Sequence, residues 1–138
     1  MCEICFNKLI PEFSVKNYNT SIEFYINILG FHLEYYREKN KFAMISINNA
    51  QIMIEEINDY WNTGELKYPF GRGINFQIEV ENVEKMVKKL KENGIKLFRE
   101  IEENWYEVQG KLKGNKEFLV QDPDGYLLRF AEDLGTKE

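Results

Sequence analysis

The sequence carries the same order of hydrophobic patterns twice. Residues 13–17 alternate apolar and polar side chains, and residues 78–82 alternate in the same phase in the second half of the chain. Each alternating run is followed by apolar residues at the i, i+3, i+4 and i+7 spacing of one helix face. These residues are Ile22, Tyr25, Ile26 and Leu29 in the first half and Val83, Met86, Val87 and Leu90 in the second. A duplicated strand–helix unit therefore organises the chain.

The ends of both helices are marked by capping residues. Thr20 and Glu23 have the spacing of a capping box for the first helix, and Asn82 is placed to cap the second. Gly30 and Gly94 follow the last apolar position of each helix, where a left-handed residue ends a helix.

Three strand-like runs follow each helix, so that each half is predicted to be a βαβββ module. The runs are residues 31–38, 42–48 and 51–57 in the first half and residues 95–102, 116–121 and 126–132 in the second. Residues 58–73 are predicted to be a linker, and residues 103–115 an irregular loop. We therefore expect one α+β domain over residues 1–138, with module one at about residues 8–57 and module two at about residues 74–133.

One helix covers only one face of a four-stranded sheet, and strand alternation assigns side chains to the two faces. Apolar residues such as Phe13, Val15 and Ile78 are predicted to lie under the helices. The opposite face is mostly polar and holds Glu12, Ser14, Gln51, Met53, Glu55, Asn75, Gln77 and Glu79. This pattern fits a solvated surface and a ligand-binding surface equally well.

Charge and hydropathy exclude several classes of protein. The net charge is −5, from 18 basic and 23 acidic residues, without a basic block of the kind that nucleic-acid binding requires. No apolar run approaches the ~20 residues of a membrane span, and the N-terminus lacks the pattern of a signal peptide. We therefore expect a cytoplasmic protein without a nucleic-acid or membrane partner.

The cysteines and the histidine offer little chemistry. Cys2 and Cys5 have Cys-x-x-Cys spacing, but they precede a strand, whereas redox pairs of this type open a helix. A zinc site would need two further ligands, and His32 is the single histidine. Reduced thiols without a catalytic role are the expectation.

Four motifs show a resemblance to a known family. They are Ile-Pro-Glu-Phe-Ser-Val at residues 10–15, Ser-Ile-Glu-Phe-Tyr at 21–25, Leu-Gly-Phe at 29–31 and Glu-Phe-Leu-Val-Gln-Asp-Pro-Asp-Gly at 117–125. Over about residues 8–133 the chain resembles the vicinal oxygen chelate superfamily, also called the glyoxalase/bleomycin resistance protein/dioxygenase fold. Within it, the hairpin at residues 42–51 is most similar to bleomycin resistance proteins. The resemblance implies two βαβββ modules that form cupped mixed sheets.

The enzymes of this superfamily hold a divalent metal, and the resemblance places their ligand positions at Ile10, Met53, Asn75 and Arg129. Isoleucine and methionine are not hard ligands, asparagine is a weak one, and arginine is a permanent cation. We therefore expect no metal, no cofactor and no catalytic residue. The alternative is a metal-dependent lyase, isomerase or dioxygenase with a rearranged site at Glu12, Glu55 and Glu79.

The resemblance then implies a protein that sequesters a cationic, aromatic small molecule of bleomycin type, acting as a homodimer. The predicted ligand-binding residues are Glu12, Ser14, Tyr35, Phe42, Gln51, Glu55, Asn75, Gln77, Glu79 and Arg129. The drug-binding relatives carry a tryptophan where this chain has Gly114, so Trp61 or Trp105 would have to replace it. Apolar surface at Tyr60, Trp61 and Phe70 also favours a dimer. A regulatory or accessory protein that binds a partner chain is the third alternative.

Overall fold

The computed structural model describes residues 3–138, and the chain forms two compact units, Met1–Phe70 and Gly71–Glu138. We call them module one and module two. Each contains one four-stranded mixed sheet with helical segments on one of its faces. The predicted α+β fold of two βαβββ modules is confirmed. Cys2 lies outside the described residues, and the thiol of Cys5 is exposed and free.

Module one has the sheet order β1-β4-β3-β2, in which β1 runs parallel to β4 and the other pairs are antiparallel. A π-helical segment, Glu23–Ile28, continues α1, and a 3-10 turn, Glu38–Asn40, joins β2 to β3. The elements are β1 Glu12–Val15, α1 Tyr18–Ile22, β2 His32–Arg37, β3 Phe42–Ile47 and β4 Ala50–Glu56.

Module two repeats this topology with the sheet order β5-β8-β7-β6, in which β5 runs parallel to β8. Its elements are β5 Asn75–Glu79, α2 Val83–Glu92, β6 Arg99–Val108, β7 Lys111–Gln121 and β8 Leu127–Lys137. The prediction of an irregular loop at residues 103–115 is wrong. Strands β6 and β7 continue through it and turn at Gln109 and Gly110, whose φ angles of 50° and 80° suit a two-residue hairpin.

The N-terminus of each helix is stabilised by a side-chain cap and by a glutamate from the last strand of the same module. Asn17, not Thr20, caps α1, because its Oδ1 accepts a hydrogen bond from the Thr20 amide at 2.9 Å. Asn82 caps α2 as predicted and accepts from the amide of Lys85. In addition, Glu56 Oε2 accepts from the Tyr18 amide at 3.0 Å. Module two has an equivalent contact, in which a Glu132 oxygen accepts from the amide of Val83 at 3.1 Å.

The hydrophobic core of each module lies between the helix and the face predicted to be apolar. In module one this core includes Phe13, Val15, Ile52, Ile54, Phe24 and Tyr25, and in module two Ile78, Val80, Val87, Leu90, Phe118 and Phe130. Phe70, predicted to be uncovered, is buried, whereas Tyr60 and Trp61 of the linker are exposed. Within residues 3–138 no helix has the length and apolar character that crossing a membrane requires.

Candidate ligand-binding faces

The register of module one brings its predicted site residues onto the sheet face away from the helix, which we call the distal face. Glu12 lies beside Met53, and Ser14 lies beside Glu55. Phe42 is also opposite Glu55, on the neighbouring strand. Directly paired residues share a face, so the predicted residues Glu12, Ser14, Tyr35, Phe42, Gln51 and Glu55 all belong to this one surface.

On this face an arginine of the same chain covers the aromatic side chains. Arg37 pairs with Phe42 in the register, and its guanidinium carbon lies 4.0 Å from the centroid of the Phe42 ring. The Tyr35 ring lies 5.7 Å from that of Phe42. Phe42 is only 1% exposed, so an external ligand does not reach its ring while Arg37 stays in place. A role of Phe42 in ligand binding stays a prediction. Sequence analysis did not identify Arg37, which the strand register puts on the same face.

Two carboxylates lie on the same face, Glu55 on β4 beside Phe42 and Glu12 one strand further away, on β1. Partial burial, and then the negative charge of Glu55, raise the pKa of Glu12, while the positive charge of Arg37 opposes this rise. Glu55 is half-buried, and its Oε1 accepts a hydrogen bond from Asn58 Nδ2 at 2.9 Å. The two carboxylates therefore make the region beside Phe42 favourable for a positive charge.

The N-terminal segment engages another predicted residue of the same face. Gln51 Nε2 donates to the carbonyl of Cys5 at 2.6 Å, and Gln51 Oε1 accepts from the amide of Asn7 at 2.8 Å. Between them, the Phe6 ring packs edge-on against Tyr35, with 6.0 Å between centroids. Both ends of the Gln51 amide therefore bind the chain itself.

The distal face of module two contains a cavity of about 350 Å³, a volume suited to a small molecule. Three predicted residues, Gln77, Glu79 and Arg129, line it. The fourth, Asn75, adjoins the cavity because its Oδ1 accepts a hydrogen bond from Arg129 Nη1 at 3.2 Å. The cavity thus involves all four predicted residues of this module.

Arg129 is fixed by a carboxylate from the adjacent strand. Its Nη2 donates to both oxygens of Glu117, at 3.0 Å and 3.3 Å. Glu117 is 8% exposed, so this ion pair is largely shielded from water. The guanidinium therefore has one defined position at the edge of the cavity.

A divalent metal does not fit the residues at the family's ligand positions. Arg129 and Asn75, two of those positions, hydrogen bond to each other, and the guanidinium there would repel a metal ion. The positions in module one carry Ile10 and Met53, which supply no hard donor. Across residues 3–138 no three His, Cys, Asp or Glu side chains are grouped to hold a metal.

Further polar groups of the cavity come from the hairpin that sequence analysis treated as a loop. Lys113 Nζ pairs with Asp133 at 2.8 Å, and this hydrogen bond, followed by one from the amide of Gly135, lowers the pKa of Asp133. The side-chain oxygen of Asn115 is buried and accepts no hydrogen bond from the described residues. Tyr106 adds a half-exposed aromatic ring. The Gln109-Gly110 turn was the sequence signal that could have revealed these residues.

Trp105 occupies the space beside Gly114 without lining the cavity. A Cβ atom at Gly114 would lie 2.5 Å from the Trp105 ring, so this ring fills the place of a side chain there. By strand alternation Trp105 faces away from the cavity that its neighbour Tyr106 lines. On that opposite face Lys137 Nζ lies 3.9 Å from its ring. Trp61 is exposed in the linker, next to Tyr60.

The duplicated βαβββ architecture, with a polar distal face on each sheet, defines a class of small-molecule-binding and enzyme folds. A family model for the Glyoxalase/Bleomycin resistance protein/Dioxygenase superfamily matches residues 10–130. The chain therefore belongs to this superfamily. No curated protein sequence matches the chain.

Several solved structures share the fold at low sequence identity. TioX from Micromonospora sp. ML1 is 13% identical with a TM-score of 0.69, covering 94% of this chain and 100% of its own. A glyoxalase/bleomycin resistance protein/dioxygenase from Alicyclobacillus acidocaldarius is 18% identical with a TM-score of 0.64, covering 93% and 92%. The genomically encoded fosfomycin resistance protein FosX from Listeria monocytogenes is 18% identical with a TM-score of 0.60, covering 94% of both chains.

Proposed function

We propose that this chain is a metal-independent small-molecule-binding protein whose site is the distal-face cavity of module two. The observation that carries the proposal is the Arg129–Glu117 pair. It puts a fixed organic cation at a position where the family's enzymes use a metal ligand, beside a cavity of about 350 Å³. The site binds a ligand without converting it.

The charges around the cavity favour a cationic ligand. The two cations, Arg129 and Lys113, are each paired with a carboxylate, Glu117 and Asp133 respectively. Glu79 is a third carboxylate and lines the cavity itself, so three carboxylates stand beside two cations at this site, an excess of negative charge. In a partly desolvated cavity this excess attracts a cation.

Hydrogen bonding and stacking point to the same ligand class. Asn115 lines the cavity, and its buried, unbonded side-chain oxygen costs free energy that a local rearrangement towards a ligand N–H group would recover. The exposed ring of Tyr106 offers a stacking surface for an aromatic or cationic group. A cationic aromatic compound satisfies all three features, and an antibiotic of bleomycin type has this chemistry. Resistance by sequestration in the cytoplasm is the corresponding biological role, and the presence of a fosfomycin resistance protein among the structural neighbours supports it.

The test is a thermal-shift screen of cationic aromatic compounds, including bleomycin-type antibiotics, followed by calorimetric titration of each hit. Ala131 is buried at the cavity wall, so Ala131→Leu fills the cavity. Ala50→Leu in β4 of module one is the matched control, because it adds the same volume away from the cavity. We expect a hit whose affinity Ala131→Leu abolishes and Ala50→Leu leaves unchanged. Equal affinity in both variants, or the absence of any hit, would contradict the proposal.

A further inference from the structure

The distal face of module one already holds a cation, and this cation belongs to the chain itself. The Arg37 guanidinium carbon lies 4.0 Å from the Phe42 ring centroid and 5.8 Å from that of Tyr35. Stacking of a planar guanidinium on an aromatic ring is a favourable cation–π geometry. The contact covers one side of the Phe42 ring, on a face that lacks a helix.

Apart from this stacking, little holds Arg37 in place. Among residues 3–138 its guanidinium makes no hydrogen bond or ion pair. By contrast, the guanidinium of Arg129 donates to both carboxylate oxygens of Glu117. Arg37 is itself exposed and ends strand β2, next to the 3-10 turn Glu38–Asn40. The side chain can therefore leave Phe42 by rotating about its own bonds, without breaking a hydrogen bond of the sheet.

The aromatic surface that Arg37 covers is suited to binding other planar cations. Phe42 and Tyr35 provide two rings, tilted by 39° with centroids 5.7 Å apart. Glu55 lies beside Phe42 on β4, Glu12 lies one strand further on the same face, and the charge of Arg37 acts on Glu12. Carboxylates beside aromatic rings match the N–H groups and the flat faces of a guanidinium or amidinium.

We propose that the distal face of module one is a binding site for guanidinium or amidinium groups, that Arg37 fills it in the ligand-free protein, and that an external cation of this class displaces Arg37. The site shares no residue with the module-two cavity, and the inference does not depend on the function proposed for that cavity. Arg37 thereby lowers the affinity of the site for external ligands, since a ligand must stack on Phe42 and Tyr35 better than an intramolecular side chain does.

The test uses p-aminobenzamidine, an aromatic amidinium whose fluorescence rises in apolar surroundings, titrated into the full chain. Removing the internal competitor in Arg37→Ala should tighten binding by about ten-fold relative to the wild type. Adding Glu12→Gln to that variant should reverse most of the gain. Neutral benzamide should not compete for the site. The titrations are repeated in the Ala131→Leu background, in which the module-two cavity is filled, and the gain from Arg37→Ala should be the same there, which separates this site from that cavity.

Arg99→Ala is the matched control, because Arg99 also lies over a ring, Phe98 at 5.7 Å, without the flanking carboxylates of module one. It should not change the affinity. If Arg37→Ala fails to unfold cooperatively, Arg37→Gln, which keeps most of the stem and removes the charge, should show the same gain. The proposal is overturned if the folded variant binds no tighter than the wild type, if Arg99→Ala gains equally, or if benzamide competes as well as the amidinium.

Discussion

Arg129 donates from one guanidinium nitrogen to both carboxylate oxygens of Glu117, at 3.0 Å and 3.3 Å, across the β8–β7 pair of module two. Glu117 is almost fully shielded from water, and Arg129 is partly so. Burial raises the free energy of an unpaired charge, so each member depends on the other. The same pair fixes a cation that lines the cavity, which links the stability of the sheet to the chemistry of its distal face.

The first prediction concerns this pair. Glu117→Gln should lower the free energy of unfolding by about 1–3 kcal/mol, because Arg129 then lacks a charged partner in a partly buried position. Urea denaturation measures the change. Glu102→Gln is the matched control, since Glu102 lies opposite Glu117 in the register but is exposed; it should change stability by less than about 0.5 kcal/mol. Equal effects of the two substitutions would contradict the structural role of the pair.

The second prediction concerns the pH dependence of stability. The hydrogen bond from the Tyr18 amide holds the pKa of Glu56 below the ordinary value of 4.5; partial desolvation acts against it, and the positive charge of Lys41 assists. Because the folded pKa is the lower one, the unfolded chain takes up this proton first as pH falls. The contribution of Glu56 to stability is therefore present above the ordinary carboxyl pKa and is lost as pH falls through the folded value.

Glu56→Gln tests this dependence by urea denaturation at a series of pH values. At about pH 6 the variant should be less stable than the wild type by under ~1 kcal/mol, since the carboxylate is screened by water. The difference should shrink as pH falls below the ordinary carboxyl pKa and through the lowered pKa of folded Glu56, because the wild type then also carries a neutral side chain. A difference that stays constant over this range would show that the charge of Glu56 contributes nothing.

The third prediction concerns the packing of Trp105 on β7. Gly114→Ala should lower the free energy of unfolding by about 1–3 kcal/mol, because the new methyl group would lie 2.5 Å from the Trp105 ring. Combining it with Trp105→Leu should remove most of that penalty in a double-mutant cycle. Gly64→Ala, with nothing within 4 Å of its Cβ, should be nearly neutral. A neutral Gly114→Ala would show that Trp105 does not occupy this space.

The fourth prediction is a homodimer. Tyr60, Trp61 and Tyr68 of the linker are 75%, 58% and 62% exposed, and a group of large apolar side chains in water favours association. Light scattering at micromolar concentration should report a particle of twice the 16.5 kDa chain mass. Replacing Trp61 by Ser should shift the particle towards the monomer, whereas a wild-type particle of the chain mass would exclude the dimer.

Local sequence patterns were sufficient to predict most of the fold. Alternation at residues 13–17 and 78–82, the cap at Asn82 and the glycines that end both helices gave the duplicated modules and the faces of their sheets. The hairpin of β6 and β7 was missed because its strands are rich in charged residues. Their pairing is decided by the register of the whole sheet and not by local hydrophobicity.

The candidate sites were harder to predict, because strand parity gives the face of a residue but not its contacts. The resemblance gave Phe42 as a ligand-stacking residue, and the register puts it on the distal face, yet Arg37 covers its ring. Parity placed Gln51 on this face, but the backbone of the N-terminal segment binds both ends of its amide. The pairing of Arg129 with Glu117 joins two strands by long-range register, which no short segment of sequence specifies.

The most direct test of metal-independent binding is a calorimetric titration of the chelator-treated chain with the compound selected by the screen. The titration is repeated after adding Zn²⁺, Ni²⁺, Fe²⁺ or Mn²⁺. Since Arg129 holds a metal-ligand position as a fixed cation, we predict the same affinity with and without each metal. We also predict that Ala131→Leu abolishes binding in every case. Binding that appears only when a divalent metal is added would contradict the account.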